Sequence, residues 1–190
     1  MLIGLSGHAR VGKDAVAKIL GEKHEFTRIA FADQVRLMCE RINPWTLTDD
    51  WPRATPLKSL VEHRGWEEAK QYEDVRRYLQ SVGMAAREVI GPEVWIDSLF
   101  RFAHHLTGDL VISDVRFPNE VRAVEERGGV VWRITRPGFG PINDHESETA
   151  LDDWKFAVTI DNTLGLDWLE GRVGRALWDS RNIIDEEGAA

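Results

Sequence analysis

The feature that most restricts the fold of this chain is the segment GHARVGKD at residues 7–14. It follows the apolar run LIGLS (2–6), which is typical of a buried strand, and it precedes a helical pattern expected from about Gly12 to Gly21. The segment matches the phosphate-binding pattern G-x-x-x-x-G-K-[ST] at every position except the last. A strand before the pattern and a helix after it are the context in which such a loop binds phosphate.

The glycines and the lysine of this segment each suit contact with phosphate. Gly7 and Gly12 allow backbone conformations that other residues resist, so that successive N–H groups can point at phosphate oxygens. Lys13 adds a mobile positive charge, and the helix that follows offers its positive N-terminal end. The candidate residues for binding a nucleotide cofactor are Gly7, Ala9, Val11, Gly12, Lys13, Asp14 and Ala15. The alternative is a glycine-containing turn before an ordinary helix.

Asp14 stands where the usual pattern has serine or threonine, whose hydroxyl binds Mg²⁺. A carboxylate is a stronger Mg²⁺ ligand than a hydroxyl, and the first helical turn favours a negative charge. We predict that Asp14 contacts the metal directly or through water. The alternative is that Asp14 only caps the helix and that Mg²⁺ binds elsewhere.

Strand-like and helix-like segments alternate along the 190 residues, which suit a single domain. The predicted strands are residues 2–6, 26–32, 110–115, 130–135 and 156–161. Apolar spacing predicts helices at 33–42, 72–89, 95–106 and 166–177, and an early proline with late paired glycines predicts a short helix at 118–129. This alternation indicates an α/β fold with a five-stranded parallel sheet flanked by helices in three layers. Ligands bind at the carboxyl ends of the strands in such sheets.

Charged side chains follow several of these strands. Asp114 ends the strand 110–115 and could organise a metal, and Arg116 behind it could fork onto a phosphate. The alternative is that these two side chains pair with each other. Arg136 opens the glycine- and proline-rich segment RPGFG, where a cation could face a migrating phosphoryl group. Most arginines of an acidic protein form surface pairs, however.

Composition narrows the functions further. The net charge of −8 argues against a protein that coats nucleic acid. Cys39 is the single cysteine, so an intrachain disulfide is excluded and a reducing compartment is favoured. No apolar run approaches the roughly 20 residues that span a bilayer, and the N-terminus lacks the pattern of a signal peptide. We therefore expect a cytoplasmic protein without a membrane partner.

The motifs of this chain resemble those of the phage deoxynucleoside monophosphate kinases. The matching segments are GHARVGKDAVA, FADQVR, LQSVGMAAREVIGPEVW, SDVRFPNEVRAVEERGG and NDHESETALDD followed by TIDN. The resemblance is strongest at the loop, where this family often has Lys-Asp, and at DVRFPNE, and it is weak across 44–65. It implies a P-loop kinase that uses Mg²⁺ and ATP to phosphorylate a deoxynucleoside monophosphate. It also implies the host cytoplasm if the protein is phage-encoded.

The resemblance further implies roles for individual residues on the ATP side. The loop residues would hold ATP, Asp14 and Asp114 would hold the metal, and Asn162 could approach the adenine. Arg136 would belong to a lid at about 136–150. The return segment of that lid would contain His145, Ser147 and Glu148.

On the acceptor side, the resemblance implies a helical region over about 33–108. Asp33, Arg36, Arg87, Trp95, Arg116 and Glu148 would bind the acceptor nucleotide. The catalytic residues would be Lys13, Arg87, Asp114, Arg116 and Arg136. The proline-rich excursion at 44–65 is a candidate specificity segment or a candidate surface of a homodimer.

Two other functions stay open at this stage. A small-molecule kinase such as a dephospho-coenzyme A kinase would phosphorylate a hydroxyl and would need a base beside it, for which Asp33 could serve. A nucleotide-binding module without catalysis would bind ATP and release no ADP on addition of an acceptor. The guanine-specific pattern N-K-x-D is absent from the sequence, which weakens a GTPase form of that second function.

Overall fold

The computed structural model describes residues 1–49, 54–141 and 146–188, without the side chains of Ser147 and residues 185–188. The chain divides into two compact units. The sheet unit consists of residues 1–30 and 102–190, and the helical unit consists of residues 31–101.

The strands and helices alternate as a parallel α/β chain requires. The strands are β1 (Leu2–Ser6), β2 (Thr27–Ile29), β3 (Trp45–Thr46), β4 (Thr55–Pro56), β5 (Leu110–Ile112), β6 (Val130–Thr135) and β7 (Val158–Asp161). The helices are α1 (Lys13–His24), α2 (Phe31–Ile42), α3 (Leu57–Ala69), α4 (Glu73–Val89), α5 (Val94–Ala103), α6 (Pro118–Glu125), α7 (Glu146–Thr149) and α8 (Leu166–Gly188). Within the described ranges, no helix has both the length and the apolarity to cross a bilayer.

The sheet unit is built on a five-stranded parallel sheet in the order β2-β5-β1-β6-β7. The central strand β1 is buried at its last four residues, as expected for a strand covered on both faces. Its end lies beside β6, with Ser6 opposite Arg133. This arrangement confirms the predicted five-stranded parallel sheet flanked by helices, and it brings the ends of β1, β6 and β7 to one edge.

The main core of the sheet unit lies between the sheet and the helices α1 and α8. Ile3 and Leu5 of β1 contribute to it, together with the fully buried Trp132 of β6. The indole Nε1 of Trp132 donates a hydrogen bond of 2.8 Å to the hydroxyl of Ser180 in α8. Because a buried donor without an acceptor is costly, Ser180 allows the largest side chain of this core to be buried.

The helical unit has a core of its own and a short antiparallel pair, β3 and β4. Cys39 of α2 is fully buried there with Leu57, Leu60 and Val75. Burial raises the pKa of the Cys39 thiol to about 11, so that it stays protonated at neutral pH. Cys39 is therefore an apolar core residue in this unit.

Several predicted boundaries differ from the structure. The strand predicted at 26–32 is limited to Thr27–Ile29, because its partner β5 covers only Leu110–Ile112. The predicted excursion at 44–65 holds β3, β4 and most of α3, while residues 50–53 lie outside the described part. The buried Leu57 and Leu60 hold this segment in regular structure by packing in the core of the helical unit. The prolines, on which the prediction rested, give no information about that packing.

Candidate functional site

The loop between β1 and α1 has the backbone that its glycines predict. Gly7 and Gly12 have φ values of 145° and 107°, and Arg10 between them has a φ of 66°. A Cβ atom at Gly7 would lie 2.4 Å from the carbonyl oxygen of Ile134, so no larger residue fits without a shift of the backbone. The side chain of Val11 is 1% exposed and anchors the loop in the core.

Lys13 turns back over the loop. Its ammonium donates hydrogen bonds of 2.6 Å and 2.7 Å to the carbonyl oxygens of Gly7 and His8. Burial, and to a smaller extent the nearby guanidinium of Arg116, lower the pKa of Lys13 from 10.5 to about 8. The carboxylates of three other residues partly offset this shift, namely Asp14, Glu148 and Asp114. The pKa of this ammonium therefore lies close to neutral pH. A phosphate bound beside it would stabilise the charged form.

Arg116 and Glu148 form an ion pair beside Lys13. The Nη1 atom of Arg116 donates a hydrogen bond of 2.7 Å to Oε1 of Glu148, whose side chain is 11% exposed. Glu148 Oε2 is buried and has no hydrogen-bond partner among the residues that the structure describes. An acceptor in this position can take a hydrogen bond from a water molecule or from a ligand hydroxyl.

Glu120 holds the backbone at Arg116 in place. Its carboxylate accepts hydrogen bonds from the backbone N–H groups of Arg116, at 2.7 Å, and of Phe117, at 3.1 Å. Glu120 is 3% exposed and occupies the third position of α6, where it caps the start of the helix. Sequence reasoning assigned no role to Glu120, because Phe117 occupies the N-cap position where the usual capping box has serine or threonine.

A second group of side chains supports the first half of the loop. Arg133 donates hydrogen bonds to Asp152 at 2.7 Å and to the hydroxyl of Ser6 at 3.4 Å. The Nε2 atom of His8 lies 3.3 Å from Arg133 Nη2 and 3.3 Å from Asp152 Oδ1. His8 and Asp152 were missed in the sequence, because the loop pattern leaves the position of His8 unspecified and Asp152 lies in no spacing pattern.

The carboxylates around Lys13 suit Mg²⁺ in their chemistry. Asp14 lies exposed in the first turn of α1, and both Asp14 and Asp114 act electrostatically on the ammonium. The described residues hold no cluster of three or more potential protein ligands. Mg²⁺ is commonly held by one or two carboxylates, with phosphates and water completing its shell. The chemistry of Asp14 and Asp114 fits that kind of site.

The remaining predicted residues of the sheet unit lie at the loops after β6 and β7. Arg136 is exposed, and its guanidinium stacks 4.8 Å from the ring centre of Phe139. Asn162 follows β7, and its side-chain amide donates a hydrogen bond of 2.9 Å to the carbonyl oxygen of Val11. His145 lies outside the described residues, as does the side chain of Ser147.

Four of the six predicted acceptor residues lie in the helical unit, whereas Arg116 and Glu148 lie in the sheet unit. Asp33 and Arg36 of α2 pair with each other at 3.4 Å, and the guanidinium of Arg36 lies 5.5 Å from the ring centre of Trp66. Trp95 is 5% exposed, and its Nε1 donates a hydrogen bond of 2.9 Å to the carbonyl oxygen of Gly83. Arg87 is half-buried in the last turn of α4. The pairing of Asp33 with Arg36 gives both charges a structural partner within their own unit.

The structure thus brings together a lysine-containing loop, an arginine and several carboxylates in the sheet unit. Fold and loop define the class: a parallel α/β protein with a glycine-containing loop, left-handed at Gly7, Arg10 and Gly12, between its first strand and its first helix.

Comparison with known proteins gives one sequence relative. No protein-family model matches the chain. The chain is 29% identical over 167 residues to a protein of Acanthamoeba polyphaga mimivirus named "Putative deoxynucleotide monophosphate kinase". The match covers 80% of this chain and 82% of the viral protein.

Two solved structures are similar to this chain along most of its length. Shikimate kinase from Aquifex aeolicus has a TM-score of 0.45 at 12% identity, over 93% of this chain and 96% of that one. Dephospho-CoA kinase from Campylobacter jejuni also has a TM-score of 0.45, at 16% identity, over 94% of this chain and 96% of that one.

Proposed function

We propose that this protein transfers the γ-phosphoryl group of ATP to a deoxynucleoside monophosphate and forms a diphosphate. The observation that carries the proposal is the partly buried ammonium of Lys13 within the glycine loop, flanked by the Arg116–Glu148 pair. Two cations next to a loop of phosphate-binding geometry suit a reaction whose transition state spreads negative charge over phosphoryl oxygens. The similarity to the viral protein, whose name gives the same activity, supports the choice of substrate.

On the ATP side, the loop from Gly7 to Ala15 surrounds the phosphates, with Ala9 and Val11 shaping the loop backbone. Lys13 exchanges the carbonyl oxygens of Gly7 and His8 for phosphate oxygens, because a charged acceptor gives a stronger hydrogen bond than a neutral one. Phosphate also raises the pKa of the ammonium, so that binding of ATP restores the full charge of Lys13.

On the acceptor side, Arg116 carries the charge that aligns the incoming phosphate. Its backbone is fixed by Glu120 and its guanidinium by Glu148, so little motion is needed at the moment of transfer. The acceptor is already a phosphate oxyanion, so the reaction needs no general base. Asp33, Arg36, Arg87 and Trp95 are assigned to acceptor binding, and Arg136 is assigned to a lid that excludes water.

Asp14 and Asp114 are assigned to Mg²⁺. When bound, Mg²⁺ neutralises charge on the phosphates of ATP. The two carboxylates carry negative charge that a metal would offset. Both lie close enough to Lys13 to raise its pKa. A place in phage metabolism, the host cytoplasm and a homodimer stay predictions.

The test is release of ADP from Mg-ATP, measured against a panel of deoxynucleoside monophosphates, nucleoside monophosphates and dephospho-coenzyme A. We expect release that depends on a deoxynucleoside monophosphate. Release with dephospho-coenzyme A alone would replace the proposed acceptor by a hydroxyl. Binding of ATP without acceptor-dependent release would refute the kinase function and leave a nucleotide-binding module.

Lys13→Ala is the matched loss-of-function variant, and Lys18→Ala is its control. Lys18 is an exposed residue of the same helix, with a loose ion pair to Glu22. We expect Lys13→Ala to abolish transfer in a folded protein and Lys18→Ala to keep it. A fully active Lys13→Ala variant would contradict the assignment of the site.

A further inference from the structure

Asn162 lies where β7 ends and is fixed from two sides. Its backbone N–H donates a hydrogen bond of 2.8 Å to the carbonyl oxygen of Thr135 at the end of β6. Its side-chain amide reaches 2.9 Å to the carbonyl oxygen of Val11 in the glycine loop. The bond joins residues 151 positions apart in the sequence and connects the loop to the segment after β7. The backbone of Asn162 is thus hydrogen-bonded to β6, and its side-chain amide contacts the backbone of the loop.

The hydrogen bond to Val11 sets the direction of the next N–H group. No peptide bond in the described chain is cis. In a planar trans peptide, the carbonyl and the N–H point in opposite directions. A Val11 carbonyl held toward Asn162 therefore turns the N–H of Gly12 away from Asn162. Loops that bind phosphate depend on N–H groups oriented in advance in this way.

The contact and the backbone angle together favour glycine at position 12, because a φ of 107° is strained for any other residue. A Cβ atom at Gly12 would lie 2.3 Å from Nδ2 of Asn162, which is closer than real contacts allow. At the other end of the loop, a Cβ at Gly7 would lie 2.4 Å from the carbonyl oxygen of Ile134. Gly12 thus lies against the side chain of Asn162 after β7, and Gly7 lies against the backbone of β6. Of these two contacts, only the one at Gly12 is made by a side chain.

We propose that Asn162 is a positioning residue, which orients the Val11–Gly12 peptide so that the loop can bind the phosphate chain of a nucleotide. This role differs from a contact with the adenine, because Asn162 acts through the loop backbone and needs no base in the ligand. The inference rests on the proposed function only in taking the glycine loop as a site for phosphate.

The experiment compares wild type, Asn162→Ala and Asn162→Asp by calorimetric titration with ATP, inorganic tripolyphosphate and adenosine at one pH. Asn162→Ala removes the donor, and we expect ATP and tripolyphosphate to bind about 3- to 10-fold more weakly, by the same factor. Asn162→Asp is similar in shape but puts a carboxylate against the Val11 carbonyl, and we expect a larger loss. Asn182→Ala in α8 is the matched control for the loss of an asparagine.

Each outcome decides for or against the role. Equal losses for ATP and tripolyphosphate, with unchanged adenosine binding and an unchanged unfolding midpoint, support it. A loss for ATP and adenosine alone would mean that Asn162 contacts the base, and no loss for any ligand would mean that the loop orients itself. If Asn162→Ala does not fold, Asn162→Ser, whose hydroxyl is one bond shorter than the amide, replaces it in the same comparison.

The failure of the two proposals can be told apart. A wild-type protein that binds tripolyphosphate but transfers no phosphoryl group refutes the kinase function and leaves the role of Asn162 intact. A wild-type protein that binds neither ATP nor tripolyphosphate refutes both.

Discussion

The lowered pKa of Lys13 makes both the stability of the fold and the affinity for ATP depend on pH. Burial and Arg116 bring this pKa from 10.5 to about 8, a shift equivalent to about 3 kcal/mol between the charged and the neutral form. Because the folded-state pKa lies below the unfolded one, the charged ammonium destabilises the fold below pH 8. That cost is relieved as pH rises from 8 to 10.5, since the unfolded chain then binds more protons than the folded one.

The binding of phosphate has the opposite dependence on pH. With a pKa of about 8, roughly nine tenths of the protein carries a charged Lys13 at pH 7 and roughly one tenth at pH 9. If phosphate binds the charged form, the affinity for ATP falls about tenfold between these values. Calorimetric titration without metal, at constant ionic strength, measures this fall.

Lys13→Arg is the control for this measurement, because a guanidinium stays charged throughout the range. We expect the affinity of the variant to change little between pH 7 and pH 9, whatever its absolute value. The ratio of the two proteins also cancels any ionisation of ATP itself. A wild-type affinity that runs parallel to that of Lys13→Arg would show that burial does not lower the pKa as reasoned.

Three substitutions test other parts of the site and the core. Asp14→Ser offers a hydroxyl as a weaker metal ligand, and we expect transfer to persist at a higher requirement for Mg²⁺. Gly12→Ala places a Cβ 2.3 Å from Asn162 Nδ2 at a φ of 107°, and we expect about 1–3 kcal/mol of destabilisation with weakened binding of ATP. Ser180→Ala leaves the buried indole N–H of Trp132 without its acceptor, and we expect urea unfolding to show a loss of about 1–3 kcal/mol.

Matched variants sharpen these three tests. A folded but inactive Asp14→Ser protein would show that the carboxylate itself is required. Gly171→Ala in α8 has no atom within 4 Å of the new Cβ, so it should be neutral or stabilising, and an equal loss at Gly12 and Gly171 would contradict the steric argument. In a Trp132→Phe background, Ser180→Ala should cost little, and an unchanged cost there would mean that the indole is not the cause.

The spacing of Gly7, Gly12 and Lys13 was sufficient to predict the loop and its place between β1 and α1. The conformation of a glycine and the charge of a lysine are local properties, so neighbouring residues alone reveal them. The strand β6 at Val130–Thr135 was predicted with its observed limits for the same reason, because its apolar run is bounded by glycines and an Arg-Pro pair. The sheet follows from the alternation of such segments with helices.

Tertiary structure alone decided how the distant residues of the site contact one another. Glu148 pairs with Arg116 across 32 positions, and Asn162 reaches Val11 across 151 positions, and neither pairing leaves a mark in the local sequence. The lowered pKa of Lys13 likewise depends on burial, which is a property of everything packed around the side chain. Spacing along the chain determines backbone conformation, whereas the electrostatic state of a side chain depends on neighbours that only folding supplies.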